Sequence, residues 1–232
     1  MIRLRPAAER GHFQNDWLDS RHSFSFDQYR DPEHVHFGPL RVINEDVVAP
    51  RQGFPMHAHR DMEIITYVLS GSLAHRDSLG TGSTIRPGEI QRMSAGTGIM
   101  HSEFNASETE PVHLMQIWII PAHRGQAPSY EQKSFSAADG LTPIVVSRNG
   151  AAPAHAVSID QDVTVYAGKL ASGGTTGHVL KEGRSAWLQL AKGALDVNGT
   201  AMRAGDGAAV SDEKALQLKA NEESEFLLFD LP

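Results

Sequence analysis

The residues of this chain whose types and spacing could do chemistry are His57-Ala58-His59 and His101-Ser102-Glu103. Each pair stands at i and i+2, positions that point to the same face of an extended strand, so each could aim two donors at one point. Three imidazoles and a carboxylate suit Fe(II), Mn, Co, Ni, Cu or Zn rather than calcium or magnesium, which prefer oxygen shells. Cysteine is absent, so thiolate ligation, disulfides and a Cys nucleophile are excluded. Glu63 reads as sharing the strand parity of the first pair. It is the alternative carboxylate, either a ligand or a group that hydrogen-bonds one. His34-Val35-His36 repeats the spacing without metal-like company downstream and is not expected to bind. His75, His113 and His123 read as surface or hydrogen-bonded histidines.

Such side chains need strands to hold them. The apolar runs are short, at residues 40–43, 64–69, 113–120, 163–170, 187–191 and 226–231, and 21 Gly and 12 Pro punctuate the 232 residues. That pattern predicts an all-β sandwich or barrel with few short helices. Residues 129–139 and 212–220 fit a short helix or an exposed loop. Asn198-Gly199 predicts a type I′ hairpin, and Ser70-Gly71 predicts another closing the 64–69 strand. The run 64–69, Gly71 and Arg86-Pro87-Gly88-Glu89 resembles 187–192, Gly193 and Arg203-Ala204-Gly205-Asp206, a weak internal repeat. Two tandem barrels follow, 1–128 and 129–232, divided near the polar stretch 123–128. Ten of the twelve histidines precede residue 126, which places any metal in the first barrel.

Asp plus Glu number 28 and Lys plus Arg 21, a formal charge of −7 that is a poor footprint for a nucleic-acid binder. Arg3, Arg5 and Arg10 read as a solvated strand. No stretch approaches the roughly 20 apolar residues of a membrane span, and no signal-peptide run opens the chain. A soluble, cytoplasmic protein, monomeric, is the expectation.

Longer strings resemble the pirin family within the cupin superfamily: Phe24-Ser25-Phe26-Asp27-Gln28-Tyr29, Phe37-Gly38-Pro39-Leu40-Arg41-Val42, Gly53 to Arg60, Met93 to Gly98 and His101-Ser102-Glu103. The resemblance implies two cupin barrels of double-stranded β-helix, jelly-roll-like form. The N-terminal barrel would bind one divalent metal, Fe(II) foremost, through His57, His59, His101 and Glu103. The C-terminal barrel would keep the fold without the ligands. General cupins place their carboxylate ligand where this chain has Glu63, whereas the pirin pattern favours Glu103. The second half, ending Phe226 to Pro232, is similar to the bacterial branch described as quercetin 2,3-dioxygenases. That similarity implies a dioxygenase cleaving flavonols with O2 and releasing carbon monoxide, with Glu103 as base as well as ligand. Phe24, Phe26, Phe37, Ile65 and Tyr67 are expected around the substrate. The alternative implied by the family is a regulatory, redox-sensing metal protein acting through protein partners.

Overall fold

The computed structural model describes residues 1–150 and 152–232. In chain order its strands are β1 (Ile2–Arg5), β2 (Gly11–Gln14), β3 (Leu18–His22), β4 (Leu40–Val48), β5 (Gly53–His59), β6 (Glu63–Ser70), β7 (Leu73–Asp77), β8 (Gly82–Ile85), β9 (Glu89–Ser94), β10 (Ile99–Asn105) and β11 (Val112–Ile119). There follow β12 (Ser129–Ser134), β13 (Gly140–Ser147), β14 (Val157–Ile159), β15 (Thr164–Leu170), β16 (Thr175–Val179), β17 (Ser185–Lys192), β18 (Ala194–Val197), β19 (Thr200–Arg203), β20 (Gly207–Val210), β21 (Ala215–Ala220) and β22 (Ser224–Leu231). Among the described residues the one helix is a 3₁₀ turn, Ala7–Glu9, and no helix is long and apolar enough to cross a membrane.

Two compact units emerge. The histidine-rich unit comprises Gly11–Phe135 and Arg148–Gln161; the second unit comprises Met1–Arg10, Ser136–Ser147 and Asp162–Pro232. A single cut after residue 128 does not describe this division, because sheet edges recruit partners from distant chain. β1 pairs along β20 from Ile2↔Val210 to Arg5↔Gly207, and β12 pairs along β9 from Ser129↔Ser94 to Ser134↔Glu89. An open edge leaves a row of unpaired backbone groups, and these strands remove it.

Each unit is built from two antiparallel sheets. The histidine-rich unit has β12-β9-β6-β11-β4-β3-β2 and β5-β10-β7-β8, and the second unit has β1-β20-β17-β22-β15-β13 and β16-β21-β18-β19. From β12 to β3 and from β1 to β13, and through both smaller sheets, the orders correspond strand for strand, which bears out the two-barrel, all-β expectation. The six apolar runs of the sequence are β4, β6 and β11 in one unit and β15, β17 and β22 in the other, the central strands of the two large sheets. Strands covered on both faces read as continuous rather than alternating apolar runs.

Asn198 and Gly199, with φ of 49° and 85°, turn the β18–β19 hairpin as expected. Ser70-Gly71 closes no hairpin, because β6 and β7 lie in different sheets. There the chain passes from one sheet to the other, and Gly71, at φ 78°, sits where an added Cβ would come within 2.6 Å of Pro111 O. Gly193 makes the same passage between β17 and β18 at φ 85°. Residues 129–139 and 212–220 contain strands, not helices: β12 caps a sheet edge and β21 lies between β16 and β18.

The second unit closes over Leu188, Leu190, Leu216, Leu218, Phe226 and Leu228. Phe226 lies against the backbone of Gly168 on β15, where a Cβ would meet its ring at 2.2 Å. Gly168→Ala is therefore expected to cost about 1–3 kcal/mol in denaturant unfolding. Combined with Phe226→Leu, it should cost less than the sum of the two single changes.

Candidate metal centre

β5 and β10 pair antiparallel with His101 opposite His57 and Ile99 opposite His59, and the register shifts between His101 and Glu103. Burial alternates along β10, so Ile99, His101, Glu103 and Asn105 point inward. On β5 the half-buried His57 and His59 alternate with exposed Met56 and Ala58. The pairing draws three imidazoles together, with ring centroids 4.4 Å apart for His57–His101 and 4.8 Å for His57–His59 and His59–His101. One ring nitrogen from each lies within 4.8 Å of the others.

Three observations fit these donors to a divalent transition metal. His101 is buried with neither ring nitrogen hydrogen-bonded. His57 Nδ1 lies 2.7 Å from Pro55 O. A carbonyl only accepts, so Nδ1 carries the proton and Nε2 keeps its lone pair. Burial, reinforced by the His101 and His57 charges against the pull of Glu103, lowers the pKa of His59 to about 4. Burial, then His57 and His75 against Asp77, lowers that of His101 to about 3. Both rings are held neutral, the form that ligates a metal.

Glu103 is 2% exposed. Its Oε2 accepts from Gln116 Nε2 at 2.7 Å and its Oε1 from Thr66 Oγ1 at 3.3 Å. It clusters with His75 and His101, the donor atoms again within 4.8 Å of one another, so His101 belongs to both groups. His75, read from the sequence as a surface or hydrogen-bonded histidine, is hydrogen-bonded and also stands in this second cluster. It stands opposite Glu103 on β7, is 1% exposed, and bonds Asp77 Oδ2 through Nε2 at 3.0 Å. The signal was present, since His75-Arg76-Asp77 has the i, i+2 spacing of the other pairs.

Glu63 lies elsewhere. Ser94 Oγ donates to its Oε2 at 2.5 Å and the Asp160 amide to its Oε1 at 3.1 Å, and it joins neither cluster. The chain reverses through Asp61, at φ 48°, between strands of different sheets, so parity counted from His57 does not carry into β6. The same error displaces Ile65 and Tyr67 from the expected pocket. They share the face of Glu63, where Tyr67 stacks on Phe135 at 6.1 Å, while Thr66 on the opposite face reaches Glu103. Phe26 does line the cavity; Phe24 is buried away from it and Phe37 bridges to Leu40. His34 pairs with Asp31 at 2.9 Å and His36 with Gly38 O at 3.0 Å, and neither is in the two clusters.

A cavity of about 620 Å³ opens onto His57, His59, His101 and Glu103, with Phe13, Phe26, Phe54 and Trp118 among its walls. Trp118 sets its ring edge-on to His59 at 4.9 Å. Phe26 and Tyr29 exchange backbone hydrogen bonds at the rim, and Gly11 makes room for the Tyr29 ring, which an added Cβ would meet at 2.5 Å. In the second unit the register puts Leu216, Leu218 and Val197 where the first has His101, Glu103 and His75. All three are core, and among the described residues no metal-type cluster forms there.

Residues 3–119 match the family model Pirin, and residues 144–231 match the model described as quercetinase C-terminal cupin domain. The chain is 46% identical over 234 residues to a protein named quercetin 2,3-dioxygenase from Escherichia coli K12, covering 100% of this chain and 99% of that one. It is 41% identical to a pirin-like protein of Caulobacter vibrioides, with 99% of each chain covered. Among solved structures, the bacterial pirin YhhW of Escherichia coli in complex with nickel(II) superposes with a TM-score of 0.93 at 45% identity, covering 100% of this chain and 99% of that chain.

His57→Ala and His101→Ala should each abolish stoichiometric binding of a divalent metal, read by elemental analysis after dialysis. His34→Ala and His36→Ala should leave it intact. In the metal-free protein the lowered pKa values of His59 and His101 make the unfolded chain bind more protons below its ordinary histidine pKa near 6.5. Stability should therefore fall as pH drops through 6.5 towards about 3, and His101→Leu should flatten that slope in urea titrations.

Proposed function

Because the chain belongs to the pirin family of cupin proteins, we propose that it is a metal-dependent dioxygenase that opens flavonols such as quercetin with O2 and releases carbon monoxide. The observation that carries this reading is the three-imidazole cluster at an aromatic-walled cavity with a buried carboxylate beside it. His57, His59 and His101 would hold the ion, with Glu103 joining them from the neighbouring cluster. Fe(II) is the first candidate by family resemblance, and nickel is the ion named for the Escherichia coli relative. Bound there, a divalent metal supplies Lewis-acid stabilisation of an enolate-type oxygen.

The remaining work falls to side chains of this chain. Glu103 Oε2 is anchored by Gln116 at 2.7 Å, whereas Oε1 has only the longer 3.3 Å bond from Thr66. Oε1 is therefore the atom to receive the proton of the flavonol 3-hydroxyl. Phe26, Phe54 and Trp118 orient the planar rings and exclude water, which keeps the deprotonated substrate from competing solvent.

The test is oxygen-dependent loss of the quercetin absorbance band, using metal-stripped protein reloaded separately with Fe(II), Mn, Co, Ni, Cu and Zn. Turnover is expected with at least one ion, none without O2, and none in His101→Ala. Glu103→Gln should depress kcat by about 100-fold or more. Stoichiometric loading without turnover by any ion would overturn the enzymatic reading and favour a regulatory metal protein with protein partners.

A further inference from the structure

Five polar side chains lie in one line across the large sheet of the histidine-rich unit. The registers pair His22 with Asn44, Asn44 with Gln116, Gln116 with Thr66, and Thr66 with Gln91. Directly opposed residues of adjacent strands share a face. Here it is the inward face, since Gln116 and Thr66 both reach Glu103. His22, Asn44, Thr66 and Gln91 are at most 6% exposed.

The second unit shows that the fold does not ask for this. Its corresponding line runs Ala208, Leu188, Leu228 and Tyr166 on strands of the same order. A buried amide without a partner costs about 1–3 kcal/mol, so a polar line in one unit and an apolar one in its counterpart points to use. Gln116 and Thr66 are accounted for by Glu103. Asn44 is not: its Oδ1 is buried with no hydrogen-bond partner, yet the residue stands in the cavity wall. Beside it His22 Nε2 donates to Ser20 Oγ at 2.8 Å and Ser20 Oγ donates to Asp46 Oδ1. With strands about 5 Å apart, Asn44 lies one strand beyond Gln116, on the side away from Thr66.

We propose that Asn44 is a specificity-determining contact for a second, non-reacting hydroxyl of a planar polyhydroxylated aromatic ligand whose reacting oxygen faces the histidine cluster. The inference rests on the flavonol reading and names the feature of the ligand that the cavity selects. The Asn44 amide hydrogen-bonds the distal phenolic hydroxyl, while Phe26, Phe54 and Trp118 take the rings. A ligand lacking that hydroxyl leaves the amide unsatisfied and is discriminated against, as sites built to hydrogen-bond a substrate hydroxyl generally do.

The experiment compares quercetin with 3-hydroxyflavone, which keeps the reacting hydroxyl and lacks the others. Full-length metal-loaded protein is used, with Kd from quenching of tryptophan fluorescence and kcat/KM from absorbance. In Asn44→Leu, a near-isosteric change, quercetin binding and kcat/KM should fall about tenfold or more through KM. The values for 3-hydroxyflavone should not fall, and the metal stoichiometry should be unchanged. Asn44→Ser, which keeps a neutral hydrogen-bonding group, should retain more of the preference for quercetin and serves as the folded control if the leucine variant melts early. An unchanged preference in Asn44→Leu, or equal losses for both ligands, overturns this inference alone. Failure of the wild-type protein to bind either flavonol overturns the flavonol reading and this inference with it.

Discussion

The register between β5 and β10 is the constraint on which the site depends. His101 faces His57 across it, and a slip of β5 by one residue would turn His57 and His59 to the outer surface and leave His101 behind, because strand side chains alternate with period two. The shift between His101 and Glu103 lets β10 keep a regular pairing with β7, where Glu103 meets His75, while β5 resumes its pairing at Phe54. Gly53 makes that resumption feasible: a Cβ there would lie 2.2 Å from Glu103 O. One glycine thus sits beside the carbonyl of the residue whose carboxylate Gln116 and Thr66 hold.

The two units form an internal control on what the fold needs and what the chemistry needs. Both keep a glycine at the passage between sheets and the same strand order. They differ where side chains enter the barrel. His101, Glu103 and His75 stand against Leu216, Leu218 and Val197, and Thr66 and Gln116 against Leu188 and Leu228. Leucine at those positions packs a dry core that stabilises by burial alone. The histidine-rich unit gives up that burial along two strands and a sheet row, and gains a place where charge and hydrogen bonds can be set against a ligand.

Most of the fold was legible because the six apolar runs are the central strands of the large sheets, and buried strands carry their signature locally. The His57, His59 and His101 convergence was legible for a similar reason, each pair having the strand spacing. What could not be read was any relation passing through a turn between sheets. Glu63, Ile65 and Tyr67 were assigned from parity across Asp61, and the reversal there puts them on the other face of β6. Ser129–Ser134 is a polar edge strand and Ala215–Ala220 an inner strand of a small sheet, and the state of each is fixed by partners such as β9 and β18 rather than by its own composition. His75 carried the i, i+2 spacing with Asp77, but its place opposite Glu103, like that of Asn44 beside Gln116, needed the register itself.

The interleaving of the two units also bears on the order in which the protein can be made. Ile2 and Leu4 leave the ribosome long before their partners, Val210 and Ala208. That strand, β1, must stay unpaired until β20 has emerged, and closing so long a loop late is entropically slow. The histidine-rich unit waits less, for residues 148–161, before its inventory is complete. Nascent chains should therefore reach a metal-competent barrel while the leading segment is still an unsatisfied edge, the stage at which a chaperone or a neighbouring chain could capture it.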